Sequence, residues 1–393
     1  MFRSFTASAM VIALIVIAAA TAIGIQANWP HRQKIAGARS AHQPKNVGAR
    51  VVAIRETPCR YPGARRCERV TLKLTAGPDK GKTTQMTLGD TGPVPVSVGD
   101  DVFVYKNRLP PHAVLRGRKL DAYSFADYNR HSSLIWLTAV FAVLVVITGR
   151  FQGLRALLGL AASLAIVLYF VVPAILDGRA PASVAIWGAL AVMLVTIPLI
   201  YGIGAKALAA CLGTAAALLV TLLFAKSFSS LAHLTGLSSD EAVYLQTITG
   251  KLSVQGLFLA GMVIGALGVL TDLTVSQAST VMAIKAARPD ISFAALFKHS
   301  QAVGHDHIAA TVNTLVLAYA GASLPILLIF KLGGVSFGSA VNSESVSEEI
   351  VATLVGSVGL ILAVPITNAL ATLLAIRLRP AELGKVDGHG HAH

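Results

Sequence analysis

Residues 261–283 read GMVIGALGVLTDLTVSQASTVMA, an apolar stretch that carries a single acid, Asp272, near its middle. The stretch is long enough for a helix to cross a bilayer, which takes about 20 residues. Because each helical residue advances by about 100°, six small or polar residues fall on one stripe: Gly261, Gly265, Gly268, Asp272, Ser276 and Ser279. The sequence therefore predicts a membrane helix with one small and polar face.

Two interpretations of this face remain open. Glycines on one stripe let another helix approach closely, within the chain or between two copies, and the serine hydroxyls can bond across such a contact. An unpaired carboxylate at the bilayer centre costs about 2.5 to 3.5 kcal/mol, so Asp272 is expected to face protein or trapped water. It either handles a proton or a cation there, or only bonds a neighbouring helix.

The composition predicts a multi-pass helical membrane protein. Of the 393 residues 54% are hydrophobic and 13% charged, and the mean hydropathy is +0.66. Apolar runs predict one N-terminal span and seven more, about eight in all. The seven lie near residues 133–148, 154–176, 182–201, 207–225, 256–283, 308–330 and 350–376.

The N-terminal segment, residues 1–27, has a basic start and then an apolar run, which fits an uncleaved signal anchor or a cleaved signal peptide. Both interpretations place the following residues outside the cytoplasm. Basic residues of short loops agree, with ten on the side of the two termini and four on the other. We therefore predict a cell-membrane protein with both termini cytoplasmic, including a tail at residues 378–393.

After a polar linker at residues 28–45, residues 46–120 predict a small extracytoplasmic β domain, a barrel or sandwich. Short β-branched stretches at 50–54, 70–75, 83–88 and 102–105 alternate with Gly-rich turns. Cys59 and Cys67 lie close together in this exported segment and are either bridged or free. Residues 76–83, AGPDKGKT, satisfy a relaxed phosphate-loop pattern, but a strand-like TTQMTL follows instead of a helix, which favours a basic hairpin turn.

The net charge of +14 is concentrated outside the predicted spans. Between Asn28 and Arg130 the chain has nineteen Lys and Arg against eight Asp and Glu. No aromatic platform or groove-reading helix accompanies them, so nucleic acid is not an expected partner. An anionic lipid surface or envelope polymer suits this charge, as does plain solvation of a basic domain.

A second polar stretch covers residues 304–325, GHDHIAATVNTLVLAYAGASLP. One helical face carries Asp306, Asn313 and Gly321, and Thr311 lies close to Asn313. We expect Asn313, Thr311, Ser276 and Ser279 to form a polar ladder with Asp272 between two helices, with Gly321 at a packing contact. His305, Asp306 and His307 are expected at the cytoplasmic entrance, where Asp306 can cap the helix; two histidines two residues apart diverge too far to share a metal ion.

Several motifs are missing from the sequence. It has no helix-competent Walker A motif, no His-Glu-x-x-His and no Gly-x-Ser-x-Gly. We therefore predict neither an enzyme nor a cofactor or metal site.

Three stretches together resemble the YibE/F family of bacterial multi-pass membrane proteins, in its actinobacterial form: GALGVLTDLTVSQAS, GHDHIAATVNTLVLAYAGASLP and EEIVATLVGSVGLILAVPITNALA. The resemblance covers about residues 133–377, which would form a seven-helix membrane domain, and implies a cell-envelope protein with a YibE-like external domain. Relatives often carry two acids in a row where this chain has Thr271 and Asp272, so Asp272 alone can take that role. The resemblance supplies no substrate.

The leading hypothesis is a secondary transporter or permease for an unknown small solute or ion, with Asp272 binding H⁺ or a cation. The alternative is a non-transporting envelope protein whose basic outer domain docks a partner or an anionic polymer. The lipid bilayer is a partner under both hypotheses, and the glycine stripe would also suit a homo-oligomer.

Overall fold

A computed structural model of the chain describes residues 2–30, 46–59, 67–89, 95–107, 114–115, 118–119, 121–249 and 252–378. Most of the predicted linker and nearly all of the predicted tail therefore lie outside the described residues. The chain divides into two compact units, one formed by Arg39–Leu144 and the other by Met1–Ala38 together with Val145–His393. We call the first the sheet unit and the second the helical unit.

The sheet unit contains a small curled antiparallel sheet. Its strands are β1 (Asn46–Thr57), β2 (Cys67–Leu74), β3 (Thr83–Leu88), β4 (Asp101–Lys106), β5 (Val114–Leu115), β6 (Arg118–Lys119) and β7 (Tyr123–Tyr128). Five strands pair in the order β3-β2-β1-β4-β7, and β5 pairs with β6. Alternate residues such as Val70, Leu72 and Leu74 are buried, as expected for a sheet with one covered face. The backbone N–H of Thr87 donates to Asp121 Oδ2 at 2.9 Å, which joins β3 to the segment before β7.

The sheet extends beyond the predicted bound at residue 120. The last strand, β7, covers Tyr123–Tyr128 and pairs with β4 along its length, with Tyr105 opposite Ser124. The domain prediction ended too early because YSFADY is short and is followed almost at once by the first apolar run of the membrane part.

Eleven α-helices occur in the described part of the chain. They are α1 (Phe2–Ala27), α2 (His131–Ile166), α3 (Val172–Leu176), α4 (Pro181–Tyr201), α5 (Ala205–Leu231), α6 (Asp240–Thr249), α7 (Val254–Ala287), α8 (Phe293–Ala322), α9 (Leu324–Leu332), α10 (Phe337–Val341) and α11 (Glu344–Ala375). A π-helical turn at Val167–Val171 joins α2 to α3. About 71% of the described residues are helical.

Six of these segments are long and apolar enough to cross a membrane, and the count becomes seven if the bent pair α8 and α9 is one span. The sequence predicted eight spans, and the numbers differ because two of the predicted spans lie on one helical run, His131–Leu176. That run is interrupted at Arg150, whose φ of 51° is not helical. The α8–α9 pair bends by 56°, because Pro325 in the first turn of α9 cannot continue the α8 hydrogen-bond pattern.

Helices α5, α7 and α11 pack closely at the centre of the helical unit. A Cβ atom on Gly213 would lie 2.1 Å from Thr367 Oγ1, and one on Gly359 would lie 2.1 Å from Thr221 Oγ1. The two contacts are reciprocal, since each helix supplies one glycine and one threonine. Small residues at such positions let helix backbones approach closely inside a membrane.

Candidate functional site

The predicted stripe of α7 is open along its glycines. Gly261, Gly265 and Gly268 are exposed, while their neighbours Met262, Val263, Ala266 and Leu267 are buried. A Cβ on Gly261 or Gly268 would meet no described atom within 4 Å, and one on Gly265 would meet only Tyr319 Oη at 3.8 Å. The predicted close contact at these glycines is therefore not formed inside the described chain. Gly321 on α8 is equally open.

Asp272 lies on the same open face. Its side chain is exposed and makes no hydrogen bond or ion pair with any described residue. Ser276 and Ser279, one and two turns further along, are half-buried, and the Ser279 hydroxyl donates to the carbonyl of Val275 at 2.8 Å. The carboxylate is thus neither locked in a bond nor enclosed by the described part of the chain.

The predicted ladder between α7 and α8 is absent from the described residues. Asn313 is exposed and Thr311 half-buried, and neither bonds to Asp272, Ser276 or Ser279. The two polar faces lie on the surface of the helical unit.

The predicted entrance residues lie inside a helix and not at its start. α8 begins at Phe293, and the side chain of Ser292 caps it by accepting from the Ala295 N–H at 3.3 Å. The prediction that Asp306 caps the helix is therefore wrong. Residues 293–303, FAALFKHSQAV, contain no helix breaker, so the helix starts about four turns earlier than the apolar run does.

Two buried amides, one on α7 and one on α11, were not among the predicted site residues. Gln277 is fully buried, and its Nε2 lies 3.1 Å from Nδ1 of His307. The Gln277 amide donates this hydrogen bond when His307 Nδ1 carries no proton. Asn368 of α11 is also fully buried and donates through Nδ2 to Gln301 Oε1 at 3.0 Å. An uncharged amide in each of two apolar helices was the sequence signal for these residues, but the charged Asp272 favoured the stripe as the predicted site.

Four buried oxygen atoms of α7 and α11 have no hydrogen-bond partner among the described residues: Gln277 Oε1, Asn368 Oδ1, Thr367 Oγ1 and Thr372 Oγ1. All four residues are 0% exposed. A buried polar atom without a partner costs about 1 to 3 kcal/mol. The centre of the helical unit thus contains polar groups that the described chain alone does not satisfy.

Acids at the start of α11 hold the loop between α5 and α6. The Glu344 carboxylate accepts from the N–H and hydroxyl of Thr235, at 2.5 and 2.6 Å, and from the N–H of Gly236 at 3.0 Å. Glu348 accepts from the Ser238 hydroxyl at 2.5 Å. These contacts give the acids a structural role.

In the sheet unit, the phosphate-loop-like stretch is a hairpin turn between β2 and β3. Gly77 and Gly81 have φ values of +82° and +88°, which glycine adopts readily. Asp79 Oδ2 accepts from Lys106 Nζ and Tyr123 Oη, and Oδ1 from Lys82 Nζ, all at 2.8 Å. The bonds from Lys106, Lys82 and Tyr123 hold the pKa of Asp79 well below its ordinary value. A carboxylate of the protein therefore already binds the lysines that a phosphate would need.

Cys59 and Cys67 form a disulfide with their Cα atoms 5.1 Å apart, and Cys211 is a free, buried cysteine. Among the described residues, no three His, Cys, Asp or Glu side chains come together as metal ligands.

One face of the sheet is basic. Arg50 lies directly opposite Lys73, and Arg55 lies opposite Arg69, across β1 and β2. Arg50 is paired with Asp101 at 2.8 Å, but Arg55, Arg69 and Lys73 are exposed and have no acidic partner in the described segments. We call these three residues the basic face. Like charges in opposite positions are unfavourable, so an anion on this face would relieve a repulsion.

The apolar helices define the class of the molecule, a multi-pass membrane protein whose helices contact lipid. A family model for YibE/F-like proteins matches residues 137–377, and the chain belongs to that family. No curated protein and no solved structure shows significant similarity to this chain.

Proposed function

We propose that this protein is a secondary transporter or permease of the cell membrane, in which Asp272 binds H⁺ or a cation. The observation that supports the proposal is an ionisable side chain in an apolar helix that makes no bond with the described residues. Intramembrane acids are costly and usually functional. An unbonded carboxylate can gain and lose a proton or cation, whereas one held in a dry bond cannot.

The open stripe also indicates where the transport path lies. Asp272 cannot face lipid without a cost of about 2.5 to 3.5 kcal/mol, and the three glycines beside it leave room for another helix backbone. We propose that a second copy of the chain covers this stripe, so that the path lies where the two copies meet. The chain would then transport as a homo-oligomer and would not act as an enzyme.

The proposal includes an orientation. Both termini would lie in the cytoplasm and the sheet unit outside when the run His131–Leu176 is divided at Arg150 into two spans and α8–α9 is one span. With those eight spans, basic residues in short loops favour the side of the termini by ten to four. The disulfide between Cys59 and Cys67 supports an oxidising location for the sheet unit.

Proteoliposomes with an internal pH-sensitive dye test the function. An imposed Na⁺ or K⁺ gradient should drive proton flux in the wild type, and Asp272→Asn should abolish that flux. Asp290→Asn changes an exposed acid in the turn after α7 and should leave the flux unchanged. Equal flux in the wild type and Asp272→Asn would reject the mechanism.

A second candidate function rests on the basic face: a non-transporting envelope protein that docks an anionic polymer. Arg55, Arg69 and Lys73 supply three unpaired positive charges on one side of the sheet. Long-chain polyphosphate should bind the full-length protein in a salt-dependent manner and lose affinity when all three residues are changed to Gln. Lys80→Gln, an exposed charge in the hairpin turn, is the matched control; equal loss in both would show nonspecific attraction.

A further inference from the structure

One carboxylate oxygen of the helical unit is enclosed without a partner. Glu348 lies in the second turn of α11 and is only 9% exposed. Its Oε2 accepts from the Ser238 hydroxyl, whereas its Oε1 is buried and has no hydrogen-bond partner among the described residues. Of the buried side-chain atoms that lack a partner in the described chain, Glu348 Oε1 is the only carboxylate oxygen. It carries a charge whenever the side chain is ionised, which the amide and hydroxyl oxygens of that group do not.

The surroundings of Glu348 do not compensate a negative charge. No lysine, arginine or histidine side chain bonds it in the described part of the chain, and its charged neighbours on α11 are two further acids, Glu344 and Glu349. Tyr319 of α8 lies beside Glu349. The first turns of α7 and the whole of α10 contain no titratable side chain. Those of α5, α6 and the loop between them, residues 232–239, are exposed near this end: Lys226, His233, Asp240, Glu241 and Tyr244.

An ionised carboxylate is therefore unfavourable at this place. Burial removes water from the charge, the unpaired Oε1 gains no bond, and the two neighbouring acids repel it. A protonated carboxyl group is neutral, and its burial costs much less. Its Oε2 then accepts from Ser238 as a carbonyl oxygen, which agrees with the observed bond.

A proton fits this place better than a metal ion does. A divalent cation such as Ca²⁺ takes six or more oxygen ligands, and no three His, Cys, Asp or Glu side chains come together in the described residues. Glu344 Oε1 already accepts from Thr235 and Gly236. A proton needs one oxygen atom and no cavity.

The bond from Ser238 is one of several contacts that hold the loop between α5 and α6. Gln255 Nε2 donates to the carbonyl of Leu234 at 2.9 Å, and a Cβ on Gly236 would lie 2.7 Å from the carbonyl oxygen of Val254. The loop thus lies on the first turns of both α7 and α11. In the proposed orientation, this is the extracytoplasmic end of the helical unit.

We propose that Glu348 binds a proton in the folded protein, and that this proton keeps the loop between α5 and α6 on the ends of α7 and α11. When the proton passes to water, a charge remains beside Glu344 and Glu349, so the side chain turns toward solvent and releases Ser238. The loop is therefore docked in acid and opens as the extracytoplasmic pH rises. Its role in controlling access to a transport path rests on the proposed function, whereas proton binding does not.

Infrared difference spectroscopy of the full-length protein tests the proton directly. At pH 7, Glu348→Gln should remove a carboxylic-acid carbonyl band from the wild-type spectrum, because only a protonated side chain gives that band. Glu241→Gln changes an exposed acid of α6 and should remove a carboxylate band instead. Loss of a carboxylate band in Glu348→Gln would overturn the proposal.

Hydrogen exchange of residues 234–239, corrected for the intrinsic rate, measures docking of the loop. In the wild type, protection should fall by up to about tenfold for each pH unit above the midpoint, because opening releases one proton. Glu348→Gln should keep the protection at every pH, since its amide is neutral and its oxygen still accepts from Ser238. His233→Asn removes the titratable group of the loop at a positive φ that Asn tolerates, and should retain the wild-type decline. Protection that is independent of pH in the wild type would also overturn the proposal.

These measurements separate the proton site from the transporter. A protonated Glu348 and a pH-dependent loop in a protein without any proton flux would retain the site and reject the transporter. Flux that depends on Asp272 in a protein whose Glu348 is ionised would retain the transporter and reject the site.

Discussion

Asp272 and Gln277 lie five residues apart on α7 but face different environments: Asp272 is exposed, whereas Gln277 is fully buried against His307. The separation of about 140° around the helix places one on the open stripe and the other at the junction with α8 and α11. The helix thus presents polar side chains on two different faces, one exposed and one buried.

The open stripe leads to the first prediction, on self-association. If a second copy covers the stripe, Gly268→Leu should weaken dimerisation at least about tenfold, because a large side chain would keep the helices apart. Native mass spectrometry across a range of protein concentrations measures the dimer fraction. Gly338→Leu is the control, since Gly338 also has no described atom within 4 Å but lies on α10. An unchanged dimer fraction in Gly268→Leu would exclude this stripe as the contact.

Packing between α5 and α11 supports a second prediction. Gly359→Ala should lower the free energy of unfolding by about 1 to 3 kcal/mol, because the new Cβ would lie 2.1 Å from Thr221 Oγ1. Thr221→Ala removes that atom, so the double variant should lose less stability than the two single changes added together. Unfolding in a denaturing detergent gives the four free energies. Strict additivity of the two changes would contradict the contact, and Gly356→Ala should be close to neutral.

The disulfide supports a third prediction. Alkylation of the denatured, unreduced protein should label one cysteine, Cys211, and reduction should raise the number to three. Changing Cys59 and Cys67 together to Ser should destabilise the sheet unit by about 2 to 3 kcal/mol, because the bridge restricts the unfolded chain. Hydrogen exchange of β1 and β2 in the full-length protein measures that loss. Three labelled cysteines before reduction would contradict the bridge.

The membrane class followed from the sequence, because long apolar runs have few alternatives to spanning a bilayer. The family followed from three stretches that resemble it, including GALGVLTDLTVSQAS. The stretch at 83–88 was predicted at the bounds of β3, since turn residues and β-branched residues mark both of its ends. The start of α8 was missed because FAALFKHSQAV is amphipathic and lies outside the apolar run. Helix periodicity continues through such a segment, but a hydropathy criterion ends before it.

The predicted site residues differ from those that the structure brings together, for a separate physical reason. Helical spacing placed Gly261, Gly265, Gly268 and Asp272 on one face, and the structure leaves all four exposed. Spacing on one helix cannot say which neighbour covers that face, so a polar ladder between α7 and α8 was expected where the described residues form none. The pairing of Gln277 with His307 depends on how three helices meet at Gly304, which no local pattern contains.

The hairpin at Asp79 supports the last prediction, on pH. Hydrogen bonds from Lys106, Lys82 and Tyr123 lower the pKa of Asp79 in the folded state, so the unfolded state binds a proton at higher pH than the folded state does. The stability from Asp79 is therefore present above the unfolded pKa of about 4, and it is lost as the pH falls below that value. Hydrogen-exchange protection of β3 and β4, corrected for the intrinsic rate, should decline over this acid range in the wild type.

Asp79→Asn should reduce that protection at neutral pH and flatten its decline in acid, because the amide cannot titrate and binds the two lysines less strongly. Asp100→Asn is the control in the same sheet unit, since no lysine or arginine among the described residues bonds Asp100; its acid profile should match the wild type. An Asp79→Asn profile as steep as the wild type would show that other carboxylates control the acid response. Lys82 and Lys106 would then stabilise the hairpin without a pH-dependent contribution from Asp79. Asp79 would not be the group that makes the stability of β2, β3 and β4 depend on pH.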